Sequence, residues 1–272
     1  PDISAAAAQF EKPWIDITPD HFMGEIVPFS NMPSYGREFA IATSEAALLL
    51  MLNFSDNEKK ILLERYVQLG LDLYGNMKAG MVWRSNGGWM LGRKLPIMIA
   101  GYVLGDSAMV SDVRNSVYNT PCTFHEDGQH FYITAADDAL VHKVWSTANA
   151  PLVEYDSADI GIPEWGIKHD HTPSFDNKNW LATYREINGS ANVGTALAIH
   201  ILNVHSDWNN DAFFEYNDRY MTRVASFTDK DFAEQGSLFC RYMYTTYRSD
   251  YDSIFSIWTT PGGWTEAPAT EW

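Results

Sequence analysis

The chain has 272 residues and a formal net charge of -16, from 35 acidic against 19 basic residues. That length can bury a large core, so one big domain is expected. The acidic balance excludes a nucleic-acid partner, which needs a basic footprint, and an anionic membrane surface. A polyanionic ligand could bind only where the few Arg and Lys residues gather in one cleft. Aromatic residues make up 14%, including 10 Trp and 14 Tyr, enough for sugar-stacking surfaces as well as a large core. Cys122 and Cys240 are far apart with no metal-ligand spacing, and fit either one disulfide or two thiols. No apolar run approaches the roughly 20 residues that span a bilayer. No leader segment is evident and the chain starts at Pro1, so a processed or truncated N-terminus is expected.

In chain order, residues 1–34 hold Pro13, Pro19, Pro28 and Pro33 and predict an irregular lead-in. From Gly36 to Asn53 a helical stripe runs through Phe39, Ala42, Ala46, Leu49 and Leu50. Ser55 to Glu58 reads as a capping box that opens a second helix, with Leu62, Tyr66, Leu69 and Leu73 as its stripe and Gly75 as its end. Glycines 80, 87, 88 and 92 mark a loop. Residues 94–104 are apolar nearly all round and predict a buried helix, with Pro96 in its first turn and Gly105 at its end. A more polar helix starts at Ser107 and uses Met109, Val110, Val113 and Val117. A second pair follows later, small and apolar over Ala191–Asn203 and amphipathic over Asn209–Met221. A last helix is expected over Asp231–Tyr247. The weakly periodic stretch 119–183 holds most of the histidines, and a loop this long argues for function. A buried helix paired with an amphipathic one is the unit of a double-layered helical barrel.

One set of residues carries a family resemblance. Gly87-Gly88-Trp89-Met90-Leu91-Gly92-Arg93-Lys94-Leu95-Pro96-Ile97, continuing to Ala100-Gly101 and Leu104-Gly105-Asp106, resembles the (α/α)-toroid polysaccharide lyases, nearest to glucuronan and alginate lyases and their uncharacterised bacterial relatives. Asp207 to Tyr216 and Asp218 to Met221 are similar to a later segment of the same group. The likeness spans about residues 35–221. It implies an all-α (α/α) toroid of helical hairpins over 35–272, incomplete because the visible helices are fewer than a full toroid needs. It also implies a secreted or periplasmic lyase of an acidic polysaccharide, with no cofactor and no metal. An N-terminal fragment or a homo-oligomer mate would cover the open flank.

Uronate β-elimination needs the sugar carboxylate neutralised, a base for the C5 proton and an acid for the leaving oxygen. Tyr184 beside Arg185 suits the base, since a neighbouring cation lowers a phenol pKa. His169 in the long loop is the second proton carrier, with His171 and His125 behind it. Arg93 and Lys94 at the start of a buried helix are candidates for the sugar carboxylate, and Asn86 for neutralising it. Tyr35 and Arg37 form a further polar cluster, and Trp89 or Trp165 would flank the cleft. His169, His171 and Asp176 lack a convincing partner set for a metal. Rival readings are a glycoside hydrolase using carboxyls such as Glu126, Asp127, Glu154, Asp156, Glu164 or Asp176, and a non-catalytic glycan-binding toroid.

Overall fold

A computed structural model describes residues 1–14, 32–33, 35–85, 87–138, 155–165, 189–224 and 236–259. The described chain is mostly helical. Helix α1 (Ile3–Gln9) stands where an irregular lead-in was expected. Asp2 caps it, accepting from Ala5 N–H at 2.7 Å, and the alanine run behind Asp2 has the highest helix propensity of any residue type. Its Ile3, Ala6 and Ala7 are buried, Phe10 behind them packs edge-on to Tyr66 at 5.9 Å, and Arg65 donates to the Ala7 carbonyl.

Helix α2 (Gly36–Met51) buries Phe39, Ala46 and Leu49. Helix α3 (Asp56–Lys78) opens on the capping box read from the sequence, with Ser55 N–H donating to Glu58 Oε2 at 2.8 Å. Its stripe of Leu62, Tyr66, Leu69 and Leu73 is buried. The helix runs past Gly75 to Lys78, because that glycine keeps helical geometry and the left-handed residue is Gly80, at φ +94°.

Helix α4 (Lys94–Leu104) lies against α3 and against α5 (Ser107–Asn115), which Asp106 caps. Residues Lys94 to Gly101 are buried. The last turn, Tyr102, Val103 and Leu104, is exposed, so α4 is buried over two of its three turns. Two short elements follow, α6 (His125–Gln129) and β1 (His130–Tyr132), and then α7 (Ala135–Asp138). Strand β1 pairs antiparallel with β2 (Pro163–Trp165), with His130 opposite Trp165.

Helix α8 (Val193–Leu202) is buried from Val193 to His200 and packs on α2. Helix α9 (His205–Trp208) leads to α10 (Asp211–Val224), which packs on both strands. Helix α11 (Leu238–Tyr247) covers part of α8 and is capped by the Ser237 hydroxyl. The expected start of this helix at Asp231 lies outside the described residues. Cys122 and Cys240 are both free thiols.

A glycine loop pinned over a buried polar cluster

The loop from Gly87 to Arg93 is seated by close backbone contacts. A Cβ on Gly36 would overlap the Gly88 and Trp89 carbonyls, and one on Gly92 would come within 2.5 Å of Ala40 Cα. Gly92 also sits at φ +90°, a conformation that side chains rarely adopt. Two consecutive residues of α6 fasten the two ends of this loop. His125 Nε2 donates to the Gly87 carbonyl at 3.0 Å, and Gly92 N–H donates to Glu126 Oε1 at 2.7 Å.

On its outer side the loop presents Trp89, which meets Tyr35 edge-on at 5.9 Å. The Arg37 guanidinium lies 5.9 Å from the centre of the Tyr35 ring and pairs with Glu38 at 2.5 Å. Tyr35, Arg37 and Trp89 are all partly exposed. Three of the residues read from the sequence as substrate-binding therefore come together on one surface.

Beneath the loop lie His125, Glu126, Gln129 and His130, none more than 3% exposed. A carbonyl can only accept, so His125 carries its proton on Nε2 and its Nδ1 has no partner. His130 likewise gives its Nδ1 proton to the Glu126 carbonyl at 2.8 Å, which leaves Nε2 unpartnered. Glu126 Oε2, both amide atoms of Gln129 and the Trp165 indole N–H are unpartnered too. Buried polar groups are nearly always satisfied, so this much unused hydrogen-bonding capacity in one place makes the cluster the candidate site.

Burial sets the protonation of the group. It pushes the Glu126 carboxyl up to about 7, against the pull of its own and the Gly92 N–H. It pushes His125 down to about 3, with His130 adding to the effect, and His130 down to about 4. Near neutral pH the site thus holds two neutral imidazoles beside a carboxyl poised to gain or lose a proton.

Lys94 stands at the back of the cluster. Its Nζ lies 2.6 Å from Asp127 Oδ1, 2.5 Å from the Trp208 carbonyl and 4.4 Å from the centre of the Trp208 ring. Lys94 is closed off from solvent and ties α4, α6 and α9 together. Arg93 is buried as well, 3.9 Å over the Phe39 ring, with one N–H on the Leu91 carbonyl. Trp165 is fully buried in β2, and Arg219 braces that strand through Glu164 and the Pro163 carbonyl, both at 2.7 Å. Tyr184, Arg185, His169 and Asn86 lie outside the described residues, as do His171, Glu154 and Asp176.

Glu126, Gln129 and His130 are the site residues that sequence reading did not single out as a unit. Their signal was there in a run of six polar or glycine positions, His125 to His130, between Phe124 and Phe131. Among the described residues no group of three His, Cys, Asp or Glu could hold a metal ion. No helix among them is long and apolar enough to cross a membrane. Comparison of the chain with family models, with curated proteins and with solved structures finds no match.

Proposed function

We propose that this chain is a polysaccharide lyase that cleaves a uronate-containing polymer by β-elimination, on a toroid of helical hairpins and outside the cytoplasm. The observation that carries the reading is the glycine loop, which holds an aromatic surface with the Arg37–Glu38 ion pair above a buried polar cluster. Trp89 and Tyr35 offer faces to sugar rings, and Arg37 offers a guanidinium to a uronate carboxylate. Within the cluster Glu126 is the group that can gain or lose a proton near neutral pH, while His125 and His130 stay neutral beside it.

In β-elimination a base takes the C5 proton, the C4–O bond breaks, and an acid protonates the departing oxygen. Tyr184 beside Arg185, with His169, is the set we assign to these transfers, and Glu126 with His125 is the buried set behind the loop. The test is incubation with glucuronan, alginate and polygalacturonate while following ultraviolet absorbance of an unsaturated uronyl end. Absorbance should rise with at least one polymer, and Tyr184→Phe should slow it by about 100-fold or more. New reducing ends without absorbance would instead favour hydrolysis. That second reading has a specific support, because a carboxyl raised to about 7 is what a glycosidase uses as its general acid. Neither signal with any polymer would refute both.

A further inference from the structure

The C-terminal end of α4 carries a feature that the proposed reaction does not use. An open groove of about 380 Å³ is lined by Gly101, Tyr102, Gly105, Asp106, Ser111, Arg114 and others from α5, with Asp207 from α9 at its edge. That volume is in the range of small-molecule sites, about 300–1,000 Å³. Lined from Gly101 to Gly105, the groove lies about 10–16 Å along the helix from the glycine loop.

Its lining is built rather than incidental. A Cβ on Gly101 would come within 2.9 Å of Val110 Cγ2, so α4 and α5 meet there backbone to side chain and leave a smooth floor. At Gly105 a Cβ would meet nothing within 4 Å, so this side of the groove is open. Tyr102 is 39% exposed, and its hydroxyl is fixed by a short hydrogen bond to Asp207 Oδ2. Asp207 Oδ1 in turn accepts from Arg114 Nη1 at 3.1 Å, and Asn209 Nδ2 holds the Arg114 carbonyl at 3.0 Å. A ring held at its far end is pre-organised, so little freedom is lost when something stacks on it.

The chemistry of such a lining is specific. An immobilised aromatic face suits the C–H face of a sugar ring. Planar carboxylate and guanidinium groups at its edge suit neighbouring hydroxyls, accepting and donating in pairs. The groove is lined by two carboxylates, Asp106 at the α5 cap and Asp207, against the single guanidinium of Arg114, which pairs with Asp207, so its formal charge is net negative and repels a uronate. We propose that this groove is a second carbohydrate site, which takes a neutral pyranose and stacks it on Tyr102.

The experiment is saturation-transfer NMR and titration calorimetry on the full chain with cellotetraose, mannotetraose and xylotetraose, and with tetragalacturonate as the anionic probe. At least one neutral tetrasaccharide should bind, with affinity reduced tenfold or more by Tyr102→Ala and by Ser111→Trp, which fills the groove from α5. Tyr242→Ala, which removes an exposed ring on α11 outside both surfaces, should leave that binding unchanged and separates stacking on Tyr102 from contact with any exposed ring. The proposal fails if none of the neutral probes binds, if tetragalacturonate binds as well as they do, or if both groove variants bind like the parent chain. None of these readouts depends on cleavage, so loss of the lyase reading would leave the groove standing or falling by itself.

Discussion

Lys94 and Asp127 meet 2.6 Å apart in a place where neither side chain is more than 1% exposed. Two charges withdrawn from water cost several kcal/mol each, and only their mutual contact with the surrounding donors and acceptors offsets that. Asp127 takes that lysine on Oδ1, while its Oδ2 has no hydrogen-bond partner. Lys94→Ala leaves that carboxylate alone in the interior. It should lower unfolding free energy by about 3–5 kcal/mol, read as a shifted urea midpoint at unchanged slope. A loss below about 1 kcal/mol would show that the pair does not anchor α6.

Glu126→Gln separates chemistry from architecture. A glutamine Oε1 can still accept the Gly92 N–H, so the loop should stay seated and the melting temperature should move little. On the proposed reaction, turnover should fall about 100-fold and the rate should lose its titration near pH 7. Rates measured from pH 5 to 9 decide it. A retained limb near 7 would assign that ionisation to another group.

The imidazoles predict an acid-labile fold. His200 is pushed down to about 2 and His205 to about 4, first by burial, and their rings are bonded at 2.6 Å. With His125 and His130 they make four histidines whose folded pKa lies below the unfolded value of about 6.5. The unfolded chain then binds more protons as pH falls from 6.5 toward 4. Stability is full above 6.5 and drops by roughly 1.4 kcal/mol per pH unit for each fully buried ring. Glu126, raised from 4.5 to about 7, works in the opposite sense between those values, as do the raised carboxyls of Asp127 and Glu215, so three groups oppose the four rings and the rings, shifted further, set the sign. The denaturation midpoint should therefore be clearly lower at pH 5 than at pH 7, and equal midpoints would contradict the buried neutral rings.

Gly92→Ala combines a strained left-handed backbone with a collision on Ala40. It should cost on the order of 2 kcal/mol or more. Trp89→Ala removes only a partly exposed ring, so it should raise KM severalfold and leave kcat and stability close to the parent. Calorimetry and steady-state kinetics on the two variants together test whether the loop is a rigid mount for Trp89.

Periodicity and capping made most of the helices legible. The stripe of α3, its Ser55–Glu58 cap, and the unbroken apolar runs of α4 and α8 are local signals, and their positions match the structure within a few residues. Helix α1 was hidden because nearby prolines outweigh a seven-residue helix with only four alanines. Helix α6 has no apolar stripe at all, since its five residues are polar or glycine and all are buried. The β1–β2 pair joins segments some 30 residues apart by three residues each, too short for an alternating pattern to stand out. Tyr35, Arg37 and Trp89 could be named singly, but only the contact of Gly36 with the loop brings them together. Nothing near Lys94 in the sequence points to Asp127, 33 positions away.

Gly105 and Asn203 end the buried helices α4 and α8 in the same left-handed conformation, at φ 66° and 56°, and each is followed by a single residue before the next helix begins. The reversal is completed within two positions both times. Such joints have no slack, so an extra residue in either would rotate the following helix by about 100° and turn its buried side outward. A library of random single-residue insertions across the gene should show its sharpest gaps at these two points, where the chain can be respelled but not lengthened.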